Sequence, residues 1–145
     1  MFISEEINEV ATPPWTDSKT AARFGALRGD LDHFVQGDLI SVAMKPFDKA
    51  KSAFIARLNP TRDGVWDIRS RDPKPAIRVF GMFAEVDMFV ALTWEFRQSL
   101  GGPRSTEWHT EIERCKTAWR KLFPVYGPVT GDNVDDYLSG KYFLV

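Results

Sequence analysis

Between Gly64 and Arg97 the chain carries three runs dense in β-branched and aromatic residues, Val65 to Arg71, Ala76 to Ala84 and Met88 to Arg97. The segments between them break the ladder. Asp72-Pro73-Lys74-Pro75 cannot extend a strand, because each proline lacks an N–H and restricts the residue before it. Glu85-Val86-Asp87 is a turn inferred from the return of the apolar run after it. Three strands joined this way form an antiparallel meander. If the first turn pairs Arg71 with Ala76, Arg69 stands opposite Arg78, and a tight second turn sets Arg78 opposite Thr93.

That register sorts the side chains by face. One face collects Trp66, Ile68, Ile77, Val79, Phe83, Met88, Val90, Leu92, Trp94 and Phe96, and it is predicted to be core. The other gathers Asp67, Arg69, Arg71, Arg78, Thr93, Glu95 and Arg97 at one end and Phe80, Met82, Phe89 and Ala91 at the other. Like charges directly opposed on a sheet are unfavourable, so Arg69 and Arg78 require nearby anions. Two sources fit: Asp67 and Glu95 neutralise them in a structural network, or the face binds phosphate.

A chain of 145 residues with 43% hydrophobic content builds one sizeable core, so residues 1–145 are read as one domain. A net charge of −1 argues against wrapping nucleic acid by bulk electrostatics and confines any such contact to a local patch. The lone cysteine, Cys115, and two separated histidines, His33 and His109, form no metal-ligand pattern, and no metal or cofactor is expected. Without a secretion-type leader or a run of about 18 apolar residues, the chain is predicted to be cytoplasmic with no membrane contact.

Around the meander, residues 1–14 read as a loosely held arm or short edge segment. A helix from about Asp17 to Gly37 carries Phe24, Leu27, Leu31 and Phe34 inward, with Arg23, Arg28, Asp30 and Asp32 on a solvated face. Leu39 to Met44 is a further strand. Phe47 to Leu58 has a helical stripe that fits a short helix or helical turn, and it is the most basic segment, with Lys45, Lys49, Lys51 and Arg57 as a nucleic-acid contact or an exposed face. Thr106 to Phe123 is an amphipathic helix capped by Ser105, with Cys115 on its apolar stripe. One short helical turn and an ordered aromatic end are expected in the tail. The fold class is therefore α+β: a small antiparallel sheet, the three-strand meander plus one further strand, packed with N-terminal and C-terminal helices.

Several words in this frame resemble the RelE and HigB-like toxins, including the phage-derived HigB-like group, which cleave messenger RNA on the ribosome. DGVWDIRS (Asp63 to Ser70), IRVFGMF (Ile77 to Phe83), VALTWEFRQ (Val90 to Gln98) and EIERC (Glu111 to Cys115) are similar to successive segments of that family, over about residues 59–121. The family carries a lysine pair where this chain has Arg97 and Gln98, and it is basic where this chain is slightly acidic. The resemblance implies a metal-free endoribonuclease, or a degenerate member of that fold, with Arg69, Arg78 and Arg97 stabilising charge on the phosphate, Glu95 as base and His109 or a late tyrosine as acid. Arg71, Thr93, Lys116 and Arg120 are candidate binding residues, and the ribosome with its mRNA and an antitoxin protein are the implied partners. The competing reading is a non-enzymatic interaction protein of phage or mobile-element origin, binding a protein partner or a second copy through its aromatic and arginine face.

Overall fold

A computed structural model describes residues 1–48 and 50–145. The small meander sheet expected from the sequence is corrected to a seven-stranded mixed sheet, with three α-helices among the described residues packed on it. The strands are β1 (Phe2–Ile3), β2 (Ile40–Ala43), β3 (Ile55–Arg57), β4 (Val65–Ser70), β5 (Ile77–Glu85), β6 (Met88–Phe96) and β7 (Tyr142–Leu144). Their order is β1-β6-β5-β4-β3-β2-β7. The pairs β3/β4, β4/β5 and β5/β6 are antiparallel, whereas β1/β6, β2/β3 and β2/β7 are parallel. The meander therefore sits at the centre, and short strands from the chain ends and the middle extend it on both sides.

The first hairpin has the register read from its prolines, with Arg69 opposite Arg78 and Ser70 opposite Ile77. In the second, Arg78 faces Glu95, and Thr93 faces Phe80 instead. Two bulges cause the difference. Ala84 is the extra residue on β5 and Leu92 the extra residue on β6, so between them every side chain of β6 changes face relative to an unbroken ladder. Phe89 and Ala91 consequently join the core around Trp66, while Val90 and Leu92 move to the opposite core and Met88 is exposed. Gly81 sits beside the β6 bulge because a Cβ there would lie 2.3 Å from the Val90 carbonyl oxygen. The turn itself lacks glycine. Asp87 takes φ 63°, the left-handed region that Asp tolerates better than most residues, and its carboxylate accepts from the Ser139 N–H at 2.8 Å.

Both faces of the sheet are covered. Helices α1 (Glu5–Ala11) and α2 (Ser18–Val35) contribute Ile7, Leu27 and Leu31 to a core with Trp66, Ile68, Val79, Phe83 and Tyr137. Trp66 meets Tyr137 and Phe83 edge-on at centroid distances of 4.7 and 5.6 Å, contacts worth about 0.5–1.5 kcal/mol each beyond their area. On the other face α3 (Thr106–Leu122), capped by Ser105, lays Ile112, Cys115 and Trp119 over Val65, Phe80, Met82 and Val90. Burial pushes the Cys115 thiol upward, so it behaves as a small hydrophobe.

Residues 1–14, expected as an arm or edge segment, supply β1 and α1, and they finish an edge. β1 covers only Val90 and Ala91 of β6, leaving the end of that strand to side chains. Glu6 accepts from the Trp94 N–H at 3.4 Å, and Arg114 donates to the Trp94 carbonyl at 2.9 Å while bonding both Glu6 oxygens at 2.8 Å. Over Phe47 to Leu58, where a short helix or helical turn is expected, the described residues contain no α-helix; a turn at Lys51 and Ser52 leads into β3 at Ile55–Arg57. Ile55 fills the Trp66 core and Leu58 the α3 core, so a strand with apolar residues on both faces imitated a helical stripe. Lys49 lies outside the described residues.

Candidate functional site

The α3 face changes character along β4 and β5. Val65 and Met82 pair under the helix, and the next row is Asp67 with Phe80. Beyond them come Arg69 and Arg78, followed by Arg71 and Ala76 where the chain turns through its prolines. α3 does not reach over this last part. The gap is a cavity of about 470 Å³ lined by Lys51, Arg69, Arg71, Lys74, Arg78 and Arg97, and no carboxylate is among its described lining residues. The rest of the wall is partly apolar, with Phe47, Leu58, Trp108 and Ile112.

Each cation is placed by a different element. Arg69 and Arg78 face each other across β4 and β5. Arg97 follows β6 and donates to the Gly101 carbonyl at 2.8 Å, with its guanidinium 5.7 Å from the centre of the Trp108 ring. Lys74 stands between two prolines in the β4–β5 turn and donates to the Arg71 carbonyl at 3.0 Å. The β2–β3 connection brings Phe47 and Lys51, held where Arg69 donates to the Ala50 carbonyl at 3.3 Å and Arg71 to the Lys51 carbonyl at 3.0 Å. Arg23 was expected on a solvated face of its helix. It is instead buried, donating to the carbonyls of Pro73 and Pro75 and to the Ser70 hydroxyl, and so it anchors the turn that carries Lys74.

One carboxylate lies beneath this charge. Asp67 is fully buried, and its Oδ2 stands 3.3 Å from Arg69 Nε and 3.1 Å from Arg78 Nε. The first contact is a hydrogen bond. The second has ion-pair distance without hydrogen-bond alignment, and both Arg78 Nε and Asp67 Oδ1 are buried without hydrogen-bond partners. Two guanidiniums therefore share a single oxygen. Burial, opposed by Asp67 and reinforced by Arg69, Arg97 and Arg71, pushes Arg78 down to about 10. Arg78 still carries its charge at neutral pH, but holding it there is unfavourable.

The remaining candidate residues lie apart from the cavity. Glu95, expected to neutralise Arg78 or act as base, makes no ion pair among the described residues and accepts the Phe96 N–H at 2.7 Å. Its charge adds to that around Glu111, whose carboxyl is raised chiefly by burial. Thr93 is buried with its hydroxyl unpartnered and does not line the cavity. Lys116 is engaged by Asp63 at 2.9 Å and Glu113 at 2.8 Å. Both Lys116 and Arg120 border a different groove, beside Trp119 and Tyr126. The sequence reading thus finds four of the six cations and misses Lys51, Lys74 and the aromatic wall. Lys51 stands out in the sequence only as one of a basic group, with nothing to tie it to the meander, and Lys74 lies in a turn defined by its prolines.

Such an arrangement can hold an anion with several charged oxygens. Arginines offer paired donors to phosphate, and the cavity lies within the roughly 300–1,000 Å³ of small-molecule sites. Comparison with known protein families, with curated proteins and with solved structures finds no match in any of the three.

Proposed function

We propose that this protein binds a phosphate-bearing anion in the cavity between the β4–β5 turn and α3. The observation that carries the reading is six cationic side chains around one concavity, with one buried carboxylate shared by two of them and the exposed Asp72 3.7 Å from Lys74. A structural ion-pair network would match its arginines with carboxylates, whereas here Asp67 is shared and Glu95 is engaged elsewhere. An incoming polyanion supplies the missing charge. Titration with inorganic tripolyphosphate tests it: saturable binding is expected, weakening as salt rises and falling by about tenfold or more in a Lys51→Ala, Arg71→Ala double variant. Those two residues are exposed, so their removal leaves the core intact. Absence of saturable binding contradicts the reading.

Cleavage of messenger RNA, the activity implied by the resemblance to RelE and HigB-like toxins, is a second reading. What favours it is that Arg69, Arg78 and Arg97, the arginines the resemblance selects, line the same cavity. It also requires a proton-transfer group, and the described lining residues include no carboxylate, histidine or tyrosine. The ribosome and an antitoxin belong to this second reading alone. Growth arrest on expression, relieved by Arg97→Ala, is its expected signature; unimpeded growth and an undisturbed polysome profile remove it.

A further inference from the structure

Part of the cavity wall is apolar, which a phosphate alone would not need. Leu58 and Ile112 are buried in its wall, Phe47 presents a half-exposed ring, and the indole N–H of Trp108 is buried without an acceptor. Phe47 is held in place from the adjoining loop, where the Arg104 guanidinium lies 4.4 Å from its ring centre.

The strand register sets the spacing along the sheet. From the Phe80 row, over which Trp108 packs edge-on at 5.6 Å, the Arg69–Arg78 row lies two residues further along β4 and β5. Arg71 lies two residues further again, just past the last paired row, Ser70 with Ile77. At about 3.3 Å per residue the backbone of the Arg69–Arg78 row lies about 7 Å, and that of Arg71 about 13 Å, from the Phe80 row. A nucleotide has this form, with a flat base at one end and a chain of phosphates beyond its sugar.

We infer that the ligand is a nucleotide carrying more than one phosphate, its base against Phe47 and Trp108 and its phosphates among Arg69, Arg71, Arg78 and Arg97. This inference rests on the anion-binding reading and adds the base to it. Base–aromatic stacking is sequence-tolerant, so the aromatic wall selects for a base without selecting which.

The test compares adenosine triphosphate with inorganic tripolyphosphate, metal-free and at one ionic strength, by calorimetric titration. The nucleotide is expected to bind about tenfold or more tightly than tripolyphosphate. In Phe47→Ala and in Trp108→Leu that ratio should fall toward one. Phe47 is far from fully buried, so its variant keeps the inference testable if Trp108→Leu fails to fold. Equal affinities for the two anions overturn the base-binding half while leaving the anion site standing. A nucleotide advantage that survives in both variants overturns the assignment of the aromatic wall. Binding of neither anion overturns the inference together with the reading beneath it.

Discussion

Replacing Asp67 by asparagine is expected to lower stability by about 3–5 kcal/mol in phosphate-free buffer, the usual cost of leaving buried charge without its partner. Asparagine keeps the shape and removes the charge. Both guanidiniums that approach Oδ2 then lose their counter-ion, with Arg69 and Arg78 directly opposed across the strand pair. Two like charges about 6 Å apart at an effective dielectric of about 20 repel by about 3 kcal/mol, which is the scale of the expected loss. Because an added anion can take over the role of the carboxylate, millimolar tripolyphosphate should recover part of the stability. Denaturant unfolding with and without the anion measures both effects. A loss below about 1 kcal/mol would mean that the charge of Asp67 does little for the arginines.

Arg78 is expected to show the opposite sign. The depression of Arg78 to about 10 arises first from burial, and it means the folded state disfavours the cation relative to the unfolded chain. That penalty is fully present below pH 10, and for this group alone stability rises between about pH 10 and the ordinary arginine range, where the unfolded chain binds more protons. Arg78→Met keeps the apolar stem, removes the charge and leaves Asp67 bonded to Arg69. In the absence of anions its melting temperature should equal or exceed that of the wild type. Its response to tripolyphosphate should fall by about tenfold or more in apparent affinity, since a charge-assisted contact to the ligand is lost.

The central meander was legible because its signals are local. Prolines fixed the first turn, and the alternation of Trp66, Ile68, Ile77 and Val79 fixed the face they share. The second hairpin differs from the expected register because Ala84 and Leu92 each add one position to their strand; the first has no mark in the sequence, and the second is marked only by Gly81 within its partner strand. The wider sheet was hidden for another reason. β1, β3 and β7 are two or three residues long, too short for periodicity, and exist only because β6, β4 and β2 offer ladders to them.

The candidate site was half visible in the same way. Arg69, Arg71, Arg78 and Arg97 follow from strand register and face, which period-two reasoning recovers. Glu95 shares their face but bonds its own neighbour, and Arg23 left the surface of its helix for the carbonyls of a turn some 50 positions away in sequence. Neither choice is encoded by spacing. Lys51 and Phe47 reach the cavity on a connection between parallel strands, a path that depends on where β2 and β3 sit in the sheet.

The most direct measurement is the melting temperature of wild type and Arg78→Met as tripolyphosphate is raised at constant ionic strength. An anion site built from unmatched arginines predicts that the wild type climbs with occupancy while Arg78→Met begins no lower and climbs far less. A wild type indifferent to the anion, together with a destabilised Arg78→Met, would instead make the arginine cluster a structural network and contradict the account.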